Sequence, residues 1–125
     1  MIVGQEHLAS AIGSGLVEVF STPMLVALLE NAAVDALASA MTAEQTSVGV
    51  HLNVRHLAAT PPGMRVRAYA ELLAVDGRML SFRVWAEDER ERIGEGTHQR
   101  ALIDRARFER KVAEKAGAER GPLAD

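Results

Sequence analysis

The stretch from Met24 to Met41 narrows the possible folds more than any other part of the chain. Its residues are mostly Leu, Ala, Met and Val, with no interior Gly or Pro. Ser21 or Thr22 can cap its start, and Pro23 suits the first helical position. The pattern predicts one long helix, apolar on most sides and therefore largely surrounded by the rest of the chain. Glu30, Asn31 and Asp35 interrupt it, which makes it a poor membrane span and a good core helix.

After the helix the period changes from 3.6 to two. In Val48–Ala58 the even positions Val48, Val50, Leu52, Val54, His56 and Ala58 share a face that is apolar apart from His56. The opposite face carries Gly49, His51, Asn53, Arg55 and Leu57. Thr60-Pro61-Pro62-Gly63 ends this strand. Met64–Val75 alternates again, Asp76-Gly77 marks a hairpin, and Met79–Glu87 sets Leu80, Phe82, Val84 and Ala86 on one face. A last strand is expected over Ile93–Ile103, where Gly94 and Gly96 point to close backbone approach or a bulge. Before the helix, Gln5–Gly13 alternates weakly and is expected as a first strand, followed by a turn at Gly13-Ser14-Gly15. From Asp104 the tail is charged and helix-like, with Phe108 and Val112 placed to anchor it and a frayed end past Gly117. The sum is an α+β domain spanning residues 1–125, an antiparallel sheet wrapping one apolar helix.

Composition excludes several classes. With 14 Lys+Arg against 17 Asp+Glu the net charge is −3, so no global field favours nucleic acid or an anionic membrane. The absence of cysteine removes disulfide scaffolds, thiol nucleophiles and Cys-ligated zinc. Met1–Ser10 lacks the basic start and apolar run of a signal peptide, so a cytoplasmic protein is expected. His51 and His56 point to opposite faces of one strand, and there is no HExxH, Walker, GxGxxG or GxSxG pattern. Neither a metal nor another cofactor is expected.

Two polar intruders remain. Glu30 sits mid-helix in apolar surroundings, where a carboxylate needs a partner, a pocket or solvent. His56 lies on the helix-facing side of its strand. Glu30 with Asn31 and Asp35 is also compatible with a narrow solvated stripe, and His56 with a satisfied structural histidine. Together they are expected to meet as an acid/base pair at the rim of the packed layer. Thr22, eight residues before Glu30, is expected along the same groove. Arg100, in Gly96–Arg100, is equally compatible with a solvated charge and a substrate contact. Arg55, Arg65, Arg67 and Arg83 fall on outward faces.

Four stretches stand out within about Val19 to Phe108: VFSTPMLVALLENA (Val19–Ala32), SVGVHLNVRHLAATPPG (Ser47–Gly63), AELLAVDGRMLSFRVWA (Ala70–Ala86) and IGEGTHQRALI (Ile93–Ile103). With these motifs in this order of elements, the chain resembles the hotdog fold, and more specifically the fluoroacetyl-CoA thioesterase-like family. The resemblance implies hydrolysis of an acyl-CoA thioester by a catalytic set of Thr22, Glu30 and His56. It also implies pocket contacts from the Gly49 backbone and Arg100, and a homodimer, or a dimer of dimers, with active sites at the subunit interface. The family's fluoroacetyl-specific enzyme has a longer aromatic-rich lid before the helix. Here Phe20 is the only aromatic in that segment and is expected to contact the substrate. Thioester hydrolysis is therefore carried over without fluoroacetyl selectivity. The competing readings are a non-catalytic acyl-CoA-binding or regulatory hotdog module and, below it, a hydratase-like hotdog enzyme.

Overall fold

In the computed structural model, which describes residues 1–123, one four-stranded antiparallel sheet carries the fold. Its strands are β1 (Gln45–His56), β2 (Arg67–Asp76), β3 (Met79–Glu87) and β4 (Arg92–Asp104), in the spatial order β1-β4-β3-β2. The period-two segments became strands because alternation lets one side of each bury apolar residues and the other meet solvent. Leu80, Phe82, Val84 and Ala86 of β3 are all buried, as their spacing predicts.

The N-terminal segment departs from the sequence expectation. Gln5–Gly13 is not a strand: it forms a single 3-10 turn, Gln5–His7, and a short helix α1 (Ala9–Ile12). Ala9-Ser10-Ala11-Ile12 offers good helix formers, and Gly13 closes the turn at φ +77°, a conformation that suits glycine. Pairing survives only as isolated bridges, Ile2 with Arg65 and Leu8 with Phe20.

The long helix α2 (Thr22–Leu37) begins where its capping residues place it. Ser21 is the N-cap, its hydroxyl accepting from the Met24 amide at 3.3 Å, and a 3-10 turn over Ala38–Ala40 ends the run. Because Ser21 is almost fully buried, its cap is not replaced by water. Ser21→Ala is expected to cost about 1 kcal/mol, seen as a lower urea midpoint at unchanged m-value.

A single chain does not surround this helix. Only Leu25, Leu29, Ala33 and Leu37, one row at i, i+4 spacing, are buried against the sheet. The sheet covers one side, which leaves Val34 and Ala27 on the uncovered side despite their apolar character. The core joins that row to Val3, Leu8, Phe20, Val66, Phe82, Val84 and Ile93. Two glycines let β4 pack closely against its neighbours, Gly94 against Leu25 of α2 and Gly96 against the backbone of β1. A Cβ on Gly96 would collide with the Asn53 carbonyl, and one on Gly94 would lie 2.7 Å from Leu25 Cδ2.

The tail does form a helix, α3 (Arg105–Gly117), capped by Asp104, whose carboxylate accepts from the Arg107 amide at 2.9 Å. It is not anchored as its spacing suggested. Phe108 and Val112 are 38% and 55% exposed, and no residue of α3 is buried, because no other element among the described residues covers that face. Of the tail past Gly117, residues 124–125 lie outside the described residues.

Candidate active site

Strand β1 carries a bulge that decides what faces the helix. Gly49 pairs with Arg100 and His51 with Gln99, so Val50 is the extra residue. The bulge reverses the side-chain parity. Leu52, Val54 and His56 face inward after it, while Ser47 and Gly49 face inward before it. The sequence reading placed Gly49 outward and Val50 inward. Instead Val50 is 52% exposed, and an added Cβ at Gly49 would collide with Oε2 of Glu30.

Two clusters hang from β1 and α2. The first joins Thr22, at the start of α2, to His56, at the end of β1, through a 2.7 Å contact between Oγ1 and Nδ1. The hydroxyl can donate or accept, so either neutral tautomer of His56 fits. His56 Nε2 is buried without a hydrogen-bond partner, and no other non-exposed residue among the described ones leaves a side-chain polar atom in that state. Burial lowers the His56 pKa below its ordinary value, with an opposing pull from the Ala58 backbone. Thr22, His56 and the fully buried Phe20 line an open cleft of about 360 Å³ with Ala9, Val19 and Ala58.

The second cluster surrounds Glu30. Arg100, 6% exposed on the inward face of β4, donates from Nη1 to Oε2 of Glu30 at 3.3 Å. Its Nε donates to Ser47 Oγ at 2.8 Å and its Nη2 to the Ser47 carbonyl at 3.1 Å. Arg100 is therefore not a solvated surface charge. His98, fully buried on the same face, was passed over in the sequence, although Gly94, Gly96, His98 and Arg100 share one parity.

Glu30 and His56 are not brought together within one chain. Thr22 is the hydrogen-bond partner of His56, and Arg100 is that of Glu30. The reason is geometric. Eight residues on α2 separate Thr22 from Glu30, a rise of about 12 Å. Arg55, Arg65, Arg67 and Arg83 lie exposed as expected, Arg83 pairing with Glu71 at 3.3 Å. Among the described residues, no three His, Cys, Asp or Glu side chains gather as a metal site.

Comparison with known proteins bears on these clusters. Residues 3–106 match the family model described as FlK, fluoroacetyl-CoA-specific thioesterase. A fluoroacetyl-CoA thioesterase of Streptantibioticus cattleyicolor is 46% identical over 101 residues, covering 81% of this chain and 73% of the relative. A solved structure of the fluoroacetyl-CoA thioesterase FlK superposes with a TM-score of 0.87 at 39% identity, covering 92% of this chain and 90% of that one. A thioesterase superfamily member from Thermus thermophilus gives 0.85 at 28% identity, over 95% and 90% of the two chains.

Proposed function

This chain belongs to the fluoroacetyl-CoA-specific thioesterase family, and from that premise we propose how its residues divide the hydrolysis of an acyl-CoA thioester to a carboxylate and free CoA. The observation that carries the proposal is a helix carboxylate, Glu30, held by a buried arginine against a glycine with no side chain. The guanidinium contact fixes where the carboxylate sits, and the missing side chain at Gly49 gives its Oε2 room against β1. Glu30 then attacks the thioester carbonyl, expelling the CoA thiolate and forming a transient mixed anhydride that water cleaves to the carboxylate, or it removes a proton from a water that attacks the carbonyl directly. The Thr22 hydroxyl orients the thioester at the start of α2. Backbone N–H groups near Gly49 or at that helix start stabilise the developing oxyanion. Neutral His56 takes up the proton given up by the attacking water and passes it to the departing thiolate. Its ring lines the cleft, and its Nε2 has no hydrogen-bond partner within the chain.

The separation of the clusters supports a two-chain site. β1 is an edge strand, and among the described residues no strand lies beside one side of its backbone over Gln45–His56. Unpaired edges invite pairing, and antiparallel pairing of two copies is symmetric. A two-fold between Leu52 and Asn53 sets Gly49 of one chain opposite His56 of its partner. Glu30–Arg100 of one copy then faces Thr22–His56 of the other, in a homodimer that can pair again as a dimer of dimers.

The test offers the purified protein a panel of acyl-CoAs and measures free thiol. Release is expected with at least one short or medium acyl group. Tight CoA-ester binding without release by any of them would favour the binding-module reading instead. The pH profile follows from His56. Its pKa lies below 6.5, so the neutral ring persists as pH falls through that value. The wild-type kcat/KM is expected to fall on the acid side with a midpoint below pH 6.5, while His56→Ala lowers it about tenfold or more and removes that acid limb. For stability the sign is the same: the unfolded chain takes its proton near 6.5 and the folded chain only lower, so stability declines as pH drops below that point.

A further inference from the structure

The guanidinium of Arg100 is held from behind by groups that never face the cleft. His98 is fully buried, its ring 6.2 Å from that of Phe82. Its Nδ1 lies 2.9 Å from the His51 carbonyl, and its Nε2 lies 3.1 Å from Arg100 Nη1. A carbonyl only accepts, so Nδ1 must carry the proton. A guanidinium only donates, so Nε2 must present its lone pair. Both contacts are satisfied by the neutral Nδ1–H imidazole alone. A second proton would set donor against donor and charge against charge.

Arg100 is thus tied at three points besides Glu30: to Ser47 Oγ, to the Ser47 carbonyl and to His98 Nε2. The guanidinium is planar, so fixing Nε, Nη2 and one hydrogen of Nη1 also fixes the direction of the other. That remaining hydrogen points at Glu30 Oε2. Ser47 reaches this position because it lies before the β1 bulge and faces inward with Gly49. The His51 carbonyl that holds His98 follows the same bulge.

We infer that His98, as the neutral Nδ1–H tautomer, is a positioning residue that aims Arg100 at Glu30, with Ser47 as its second support. The inference rests on Glu30 acting in thioester hydrolysis. His98 touches neither substrate nor reacting atoms; it acts through Arg100. Misplacing a catalytic carboxylate by about an ångström costs on the order of a hundredfold in rate with little effect on binding.

The test pairs His98→Phe with His98→Gln. Phenylalanine fills the space beside Phe82 but offers no acceptor; glutamine returns an oxygen for Arg100. His98→Phe is expected to lower kcat about tenfold to a hundredfold with KM within about twofold, and His98→Gln to recover most of it. Wild-type kcat in His98→Phe, or an equal loss in His98→Gln, would overturn the inference. Ser47→Ala supplies the same kcat-only loss should the Phe variant not fold. Nitrogen-15 spectra of the wild-type protein give a readout independent of turnover. His98 is expected as the neutral Nδ1–H tautomer, and an Nε2–H signal would overturn the assignment even if every variant were slow. If the wild-type enzyme releases no thiol from any acyl-CoA while the tautomer is as expected, hydrolysis fails as a reading and the Arg100 support stands.

Discussion

Glu30→Gln is expected to lower kcat/KM for the best acyl-CoA by about a hundredfold or more, the scale of a positioned acid, base or nucleophile. Glutamine keeps the length and shape of the side chain and still accepts from Arg100 Nη1, so the fold and the cleft are kept. It cannot form an anhydride or take a proton from water. The Glu30 side chain is 37% exposed, whereas Arg100 is almost sealed off. Loss of turnover at unchanged melting temperature is therefore the expected pattern, and full turnover would remove Glu30 from the mechanism. The same variant tests the two-chain site. Glu30→Gln and His56→Ala dimers, unfolded together and refolded, form mixed dimers in which one site keeps both groups. Half of randomly formed dimers are mixed and each has one intact site of two, so recovery of roughly a quarter of wild-type activity is expected. No recovery would place each site within a single chain.

Different parts of this outcome were legible in the sequence to different degrees. Helix α2 and strand β3 announce themselves, because capping by Ser21, Pro23 at the helix start and strict alternation over Met79–Glu87 are local signals. Gly94 and Gly96 signal close approach or a bulge, and both occur: each abuts a neighbouring element, and the β3–β4 register shifts beside Gly94. The segment Gln5–Gly13 misleads because weak alternation in nine residues also fits two short helical turns. The expectation that Glu30 meets His56 used parity alone, and parity ignores distance along the helix. It places both groups on the layer between helix and sheet, yet not at the same level. The β1 bulge was hidden for a different reason. A single extra residue leaves alternation intact on either side, so Val48, Val50 and Leu52 look continuous although the face changes between them. Only pairing with β4 shows that Gly49 and Ser47 look inward.

That hidden bulge sets up the sharpest expected loss of function without loss of fold. Gly49→Ala places a methyl group where Glu30 Oε2 now sits, with His98 Cε1 at 3.2 Å and Arg100 Nη1 at 3.3 Å from it. His98 and Arg100 are buried and tied, so they cannot yield. Glu30 can, because its carboxylate is the free end of a flexible, partly exposed side chain. Moving it is cheap in stability, and alanine is preferred to glycine in a strand by about 0.5–1 kcal/mol, so the melting temperature is expected to stay close to wild type. The activity is expected to fall about a hundredfold, because the displaced carboxylate loses both its aim from Arg100 and its clear approach to the thioester. Thermal melting and thiol release on one preparation decide the matter. Intact turnover in a stable Gly49→Ala protein would mean that Glu30 does not work from the position it holds against β1. A collapsed melting temperature would mean that the backbone of β1, and not the carboxylate, was what could not accept the methyl group.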